Sequence, residues 1–427
     1  MHGKIYVENF GPIKNAKLEL DNNFQILIGP QASGKSTLCR VAYFCKKIRD
    51  YTVQFLTNFE KMNQGHPSEA FNNLKKHLTN QFMGCFGTTK HMQPLQIRYF
   101  FEDNAITIKL ERGYVRFIFS KDLQNQLNIL IHSAFEIHNN RVASRFDTEA
   151  VNLYSVLLQS LVVRVYDAFK YDEDIIYIPA GRSVLATMSE QLQDMPYSAM
   201  DLTMQEFVKR IKETRNNFGF FLKDVVQNYL KTVKGQINNA AVELAIHKIH
   251  IILKAEYTCD KDGEKLYYDA EHWVKLIYAS SGQQESLWVL LPVFLQILRN
   301  KKTFIVIEEP EAHLFPDAQR TIVELIALLA RTTGSTVMLT THSPYILTVA
   351  NLLVYSGFVE KHVNKDKAVI PVSVRIDPTD FVGYSIEEGE MSNIYDTKEH
   401  MMDVEYIDKI SSSINEDLDR LLEIQYK

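Results

Sequence analysis

The sequence predicts an α/β fold in which a mixed sheet carries an antiparallel meander and stands beside a helical lobe. Three observations predict it. Residues 29–37 read Gly-Pro-Gln-Ala-Ser-Gly-Lys-Ser-Thr, set between a short apolar run and a stretch with helical spacing. Phe304–Ile307 and Val337–Thr340 are apolar β-type runs joined by a helical stretch, the spacing of a parallel strand–helix–strand unit. Leu95–Phe101, Ala105–Glu111 and Tyr114–Phe119 alternate apolar and polar residues, with Asp103-Asn104 and Arg112-Gly113 as turn signals between them.

In chain order, residues 1–28 read as short strands, since Ile5 and Val7, and then Ala16, Leu18 and Leu20, alternate with polar residues. Phe24–Ile28 is a mostly apolar run suited to a buried strand. Leu38, Val41, Ala42, Cys45 and Ile48 repeat at helical spacing from Ser36 to about Phe59. After the meander, residues 121–170 and 201–250 read as mainly helical, with a strand at Ile175–Ile178 between them. A helix is expected from Pro316, a proline at its first position, to Gly334 just past its end.

Bulk properties exclude some classes. The chain has 427 residues, 46% hydrophobic and 23% charged, with a net charge of −5, so no whole-chain basic footprint for nucleic acid exists. No apolar run reaches the ~18 residues of a membrane span. The opening MHGKIYVENF lacks the layout of a secretion signal. Cys39, Cys45, Cys85 and Cys259 show no paired CxxC spacing and read as reduced core thiols of a cytoplasmic protein.

The run at 29–37 fits GxxxxGK[ST] in the strand–loop–helix context that the motif requires. Backbone N–H groups there form an anion-binding concavity to which Gly29, Ser33, Gly34 and Thr37 contribute. Lys35 supplies a charge to the β- and γ-phosphates of ATP, and Ser36 offers a hydroxyl to Mg2+. The strand Phe304–Ile307 delivers Glu308-Glu309-Pro310-Glu311 to the same edge, a Walker B arrangement in which glutamate stands where aspartate is more usual. Glu308 is expected to hold Mg2+, largely through water, and Glu309 to act as general base. His342, ending the neighbouring strand, is placed to reach the γ-phosphate. His313 can face either the site or a partner. Ser281, Gly282 and Gln283 open a helix between these two motifs and form a second phosphate-binding element.

The set GPQASGKST, ASSGQQE, FIVIEEPEAHLFP and TTHSPYIL resembles the ABC-type ATPases of the SMC/RecF/OLD group. Within that group it is most similar to the stand-alone, OLD-like AAA-type ATPases, many of them bacterial and often found in anti-phage defence. VENFGPIKNAKLEL, IIYIPAGRS and FVGYSIEEGEMSNIYD also look like that group. The resemblance implies an ABC-type P-loop NTPase head at 1–120 and 270–396, a mainly helical lobe at 121–269, and an acidic C-terminal helix at 397–427. It implies hydrolysis of ATP with Mg2+, and a homodimer or higher oligomer in which Ser281 and Gly282 touch the γ-phosphate bound to the partner's Lys35. It further implies that nucleotide-driven pairing controls a separate effector, a nuclease or toxin; the alternative is a RecF-like ATP-dependent DNA-binding protein.

Two departures stand out. The strand end that usually carries a Q-loop glutamine reads Pro179-Ala180, with Arg182 as a candidate substitute. Asp377 and Asp380 are spaced DxxD rather than the DxD of a Toprim nuclease, so no nuclease is expected in this chain. Seven bases against three acids between 205 and 234 could meet nucleic acid or an acidic partner, although a solvated helical face is the simpler reading. An amphipathic helix is expected from about 403 to 425, docked on its own head.

Overall fold

The computed structural model describes residues 3–59, 69–88, 92–143, 148–183, 185, 200–232, 237–359 and 369–403. The C-terminal helix expected at 397–427 is absent from its described part, where 397–400 form a turn and Met401–Met402 pairs antiparallel with Tyr395–Asp396; the rest of it lies outside the described residues.

The N-terminal strands are β1 (Gly3–Phe10), β2 (Ile13–Glu19) and β3 (Phe24–Ile28). Helix α1 (Lys35–Thr57) follows the phosphate loop, then α2 (Ala70–Phe86) and the meander β4 (Leu95–Phe101), β5 (Asn104–Glu111) and β6 (Tyr114–Phe119). Next come α3 (Lys121–Ala143), α4 (Thr148–Phe169), β7 (Asp174–Ile178), α5 (Leu202–Arg215), α6 (Leu222–Thr232) and α7 (Asn239–Leu253). The strands β8 (Glu256–Asp260), β9 (Gly263–Tyr267) and β10 (Trp273–Lys275) precede α8 (Ser281–Arg299). The chain continues through β11 (Thr303–Glu308), α9 (Pro316–Thr333), β12 (Thr336–Thr340), α10 (Pro344–Val359), β13 (Phe381–Glu387) and β14 (Glu390–Asn393).

One mixed sheet of 11 strands runs in the order β6-β5-β4-β1-β2-β14-β13-β3-β12-β11-β7. From β13 to β7 every pairing is parallel, and β1, β2, β4, β5 and β6 pair antiparallel. The parallel strands are buried on both faces, which explains their unbroken apolar runs. Ile176, Ile305, Ile307, Val337 and Leu339 join one core with α7 to α10, while Tyr177, Phe304, Val306 and Met338 join a second core with α1 to α4 and the meander. The antiparallel strands show the alternating burial that their sequence implied.

Four features were not expected. Helix α2 fills the gap before the meander, with Leu74, Leu78 and Phe82 buried at helical spacing. The range 121–269, expected to be helical apart from one strand, contains β8 and β9 of a separate three-stranded sheet. These strands are too short for their alternation to stand out. The β7 strand within that range is the edge strand of the main sheet, paired with β11. The acids at 387–390 sit on an exposed hairpin turn as expected, but the strand before them, β13, pairs parallel with β3.

Candidate functional site

Parallel pairing in register brings four strand ends to one edge. Leu27 of β3 faces Thr340 of β12, Thr340 faces Glu308 of β11, and Ile307 faces Ile178 of β7. The loops after these strands therefore converge, the usual place for a ligand in an open α/β sheet. Strand β12 lies between the phosphate-loop strand and the acidic strand, which sets His342 between Lys35 and Glu309.

Gly34 caps α1 with φ 109. A Cβ there would collide with the Ile13 side chain and would be strained at that φ, so glycine is required by packing as well as by backbone conformation. Lys35 is buried, and its Nζ donates to the Gly29 and Pro30 carbonyls, each at 2.8 Å. Burial lowers its pKa, opposed chiefly by the charge of Glu309. The Ser33 hydroxyl is buried without a hydrogen-bond partner inside the loop. An orphaned donor, a buried ammonium and the unbonded N–H groups of a helix start together fit a bound phosphate chain. Ser36 is exposed and Thr37 half-buried at the same helix end.

Glu308 is buried with both oxygens engaged: Oε1 accepts from the Tyr177 hydroxyl at 2.8 Å and Oε2 from the Ala180 N–H at 3.2 Å. Glu309 reaches solvent from a left-handed backbone, φ 44, and its N–H donates to the Thr340 carbonyl at 3.0 Å. A non-glycine residue held there is under strain that the surroundings must sustain. Nε2 of His342 lies 3.5 Å from Glu309 Oε1. Glu311 is buried and accepts from Thr341 Oγ1 at 2.6 Å and from the His342 N–H at 3.0 Å. It thus fixes the backbone that carries His342, and burial raises its own pKa.

Ser36 and Glu308 are the residues that could hold a divalent cation beside phosphate oxygens and water, the arrangement Mg2+ prefers. Among the described residues no group of three or more His, Cys, Asp or Glu is placed to bind a metal by itself. The four cysteines are free thiols.

The second phosphate-binding element opens α8. Ser280 forms a capping box with Gln283, and Ser281 is exposed on the first turn. Both donors of Gln283 are engaged here, the side chain to the Leu253 carbonyl at 2.7 Å and the N–H to the Ser280 hydroxyl at 3.3 Å. Gly282 packs on the loop after Glu311: a Cβ there would sit 2.7 Å from the His313 carbonyl oxygen. His313 itself is exposed, with φ 59.

Arg182 does not project into the site as a stand-in for glutamine. It is fully buried, and its guanidinium binds main-chain carbonyls of the acidic turn. The DxxD acids are structural, Asp377 capping a short turn and Asp380 accepting from Asn23. In the basic stretch Arg210 pairs with Asp174, Arg215 with Glu264 and Lys209 with Glu213. No described helix is long and apolar enough to cross a membrane.

Tyr177, Thr340, Glu311 and Glu285 escaped the sequence reading as site-supporting residues. Glu311 was visible within Glu-Glu-Pro-Glu. Tyr177 had only its place two residues before Pro179 as a signal.

Parallel strand ends that gather a phosphate loop, a pair of acids and a histidine define a P-loop ATPase fold. The chain belongs to the AAA ATPase domain family, whose pattern matches residues 1–347. No curated protein matches it. Among solved structures, an SMC head bound to the C-winged helix domain of ScpA is 11% identical with a TM-score of 0.42, over 92% of this chain and 97% of that one. The SMC head domain from Thermotoga maritima is 11% identical with a TM-score of 0.34, over 92% and 98%. An SMC head from Pyrococcus furiosus, with an extended coiled coil and bound to the C-terminal domain of ScpA, is 12% identical with a TM-score of 0.37, over 97% and 99%. Likenesses of this size are weak, and the function rests on the family and on the site's own geometry.

Proposed function

We propose that this chain is an ABC-type ATPase that hydrolyses ATP with Mg2+, and that nucleotide-driven pairing of two chains controls a separate effector in bacterial anti-phage defence. The observation that carries the ATPase reading is the convergence of Lys35, Glu308, Glu309 and His342 at one sheet edge. When ATP arrives, Lys35 exchanges its two carbonyl acceptors for β- and γ-phosphate oxygens. Ser36 and Glu308 would hold a Mg2+ ion, whose charge would offset that of the phosphates. Glu309 accepts a proton from the attacking water, and His342 orients that water or bonds the γ-phosphate. Ser281 and Gly282 act on the nucleotide of a second chain. The OLD-like motif set, without Toprim spacing, supports an effector that is a separate nuclease or toxin. A RecF-like DNA-binding role needs a basic surface, and the pairing of Arg210 and Arg215 argues against α5 as that surface.

ATP turnover and ATP-dependent association by light scattering test this together. The expected result is turnover that rises with chain concentration and a Glu309→Gln variant trapped as ATP-loaded dimers. A chain that neither hydrolyses ATP nor associates with it would sink the proposal.

A further inference from the structure

We infer that Arg182 is a positioning residue that sets the water-activating carboxylate of Glu309 and ties it to the helix carrying Ser281 and Gly282. This rests on the reading of Glu309 as general base.

The Arg182 side chain is fully buried, as is that of its carboxylate partner Glu285 on α8, with Nε 3.3 Å from Glu285 Oε2. Burying a guanidinium is costly unless its donors are matched, and here they are. Nε donates to the Glu285 carbonyl at 3.1 Å, Nη1 to the Pro179 and Glu308 carbonyls at 2.7 Å each, and Nη2 to the Glu309 carbonyl at 2.9 Å. The Glu285 carboxylate in turn accepts the N–H groups of Arg182 and Ser183, at 3.0 and 2.9 Å. One planar fork thus joins three pieces of backbone: the end of β7, the acidic turn after β11 and the first turns of α8.

Glu309 is where this matters. Its φ is 44, in the left-handed region that non-glycine residues adopt uncommonly and outside a turn only when their surroundings sustain it. Its N–H is fixed by Thr340 and its C=O by Arg182 and the Ala312 N–H, while the carboxylate is partly exposed and lies 3.5 Å from His342 Nε2. The direction of the carboxylate is therefore decided by the two flanking peptides. Removing Arg182 lets the acidic turn relax toward an ordinary φ and swings the carboxylate away from the phosphate edge. Because the same guanidinium grips α8 through Glu285, the second phosphate-binding element and the base move as one body. Lysine cannot replace this fork, having one nitrogen to serve carbonyls on three segments.

The test is a kinetic cycle on the full chain with ATP and Mg2+. Arg182→Lys and Glu285→Gln should each lower kcat by about tenfold or more, as misplacement of a catalytic group by roughly an ångström does, with ATP affinity near wild type. The melting temperature should fall as well, because a fully buried ion pair loses its match, so kcat is read well below each variant's melting transition. In a Glu309→Gln background, where residual hydrolysis is followed by single turnover, Arg182→Lys should cause no further loss, because its effect runs through the missing carboxylate. Wild-type kcat in both Arg182→Lys and Glu285→Gln, or losses that multiply with that of Glu309→Gln, would overturn the proposal. If Arg182→Lys fails to fold, Glu285→Gln, which keeps the volume and removes the charge, decides the question in the same cycle. Wild-type turnover in Glu309→Gln alone would instead remove the general-base reading, and this inference with it.

Discussion

Nε2 of His342 lies 3.5 Å from Oε1 of Glu309, across neighbouring strand ends and with both side chains open to solvent. Both side chains can part to admit a water or a phosphate oxygen without disturbing the core. Glu309→Gln keeps the shape of this pair and removes the proton acceptor. Turnover should fall by about 10²–10⁴-fold, the usual contribution of a general base. ATP affinity should stay within a few-fold of wild type. Steady-state hydrolysis and a fluorescent-nucleotide titration on the same preparation separate the two quantities.

Lys35 spends its charge on the Gly29 and Pro30 carbonyls, which a phosphate chain would replace. Lys35→Ala should weaken ATP binding by at least about tenfold, or 1.4 kcal/mol, with little change in fold stability. Calorimetric titration checks it, and wild-type affinity would show that the loop binds something other than phosphate.

Glu311 predicts a pH dependence. Burial raises its pKa above the ordinary 4.5. The folded chain therefore keeps this proton to a higher pH than the unfolded chain does. Stability from this group is flat below the ordinary carboxylate range and falls as pH rises from there through the raised value. In Glu311→Gln, which cannot ionise, that fall is absent. The difference in urea midpoint between variant and wild type should grow with pH over this window and then level off. Parallel curves would refute the raised pKa.

Much of this site was legible because its motifs are local. Residues 29–37 announce a phosphate loop by themselves, and β11, α9 and β12 follow from one apolar run, one proline, one glycine and a second run. The supporting residues were not legible because their partners are distant in sequence. Arg182 meets Glu285 103 positions away and Glu308 126 away. Tyr177 meets Glu308 across 131. A lone arginine after a strand gives no sign of which carbonyls it will hold. Strand β13 was hidden in another way: Phe381–Glu387 reads as a polar-ended tail until its parallel pairing with β3 is seen. Gly282 was read in the sequence as a phosphate contact, and its close packing on the His313 carbonyl is visible only in the fold.

Away from the site, Lys46 and Glu173 form a buried pair at 2.8 Å, each about 5% exposed or less. Among the described residues, Lys46→Met leaves the Glu173 carboxylate the half-exposed Lys302 at 3.8 Å as its ion-pair partner. Stability should drop by about 3–5 kcal/mol, the cost of stranding a buried charge. Chemical denaturation gives the value, and a loss below about 1 kcal/mol would mean that Glu173 takes up a proton or reaches water instead.

The last prediction concerns where the site is completed. Ser281 is exposed at the start of α8, and exposed aromatic residues flank the contact between Gly282 and His313: Tyr278 at 79% and Phe315 at 75%. Large exposed rings beside an open helix N-terminus suit a surface that closes on a second copy. Ser281→Arg should then bind ATP normally and turn over poorly, because arginine's bulk blocks closure. Lys35→Ala should fail for the opposite reason, an empty loop facing an intact helix start. Mixed together, the two inactive chains form some dimers in which Lys35 of the first faces Ser281 of the second. With random pairing half the dimers are mixed and each has one whole site, so the mixture should recover about a quarter of the wild-type rate. If the two sites fire only together, that recovery vanishes, but ATP-dependent association of the Ser281→Arg chain with the Lys35→Ala chain still exceeds that of either alone. Replacing Phe315 with Glu should weaken ATP-dependent association in the wild-type background while leaving ATP affinity unchanged. A chain that stays monomeric with ATP at every concentration, yet hydrolyses it at a constant specific rate, completes its site alone, and the paired arrangement is then wrong.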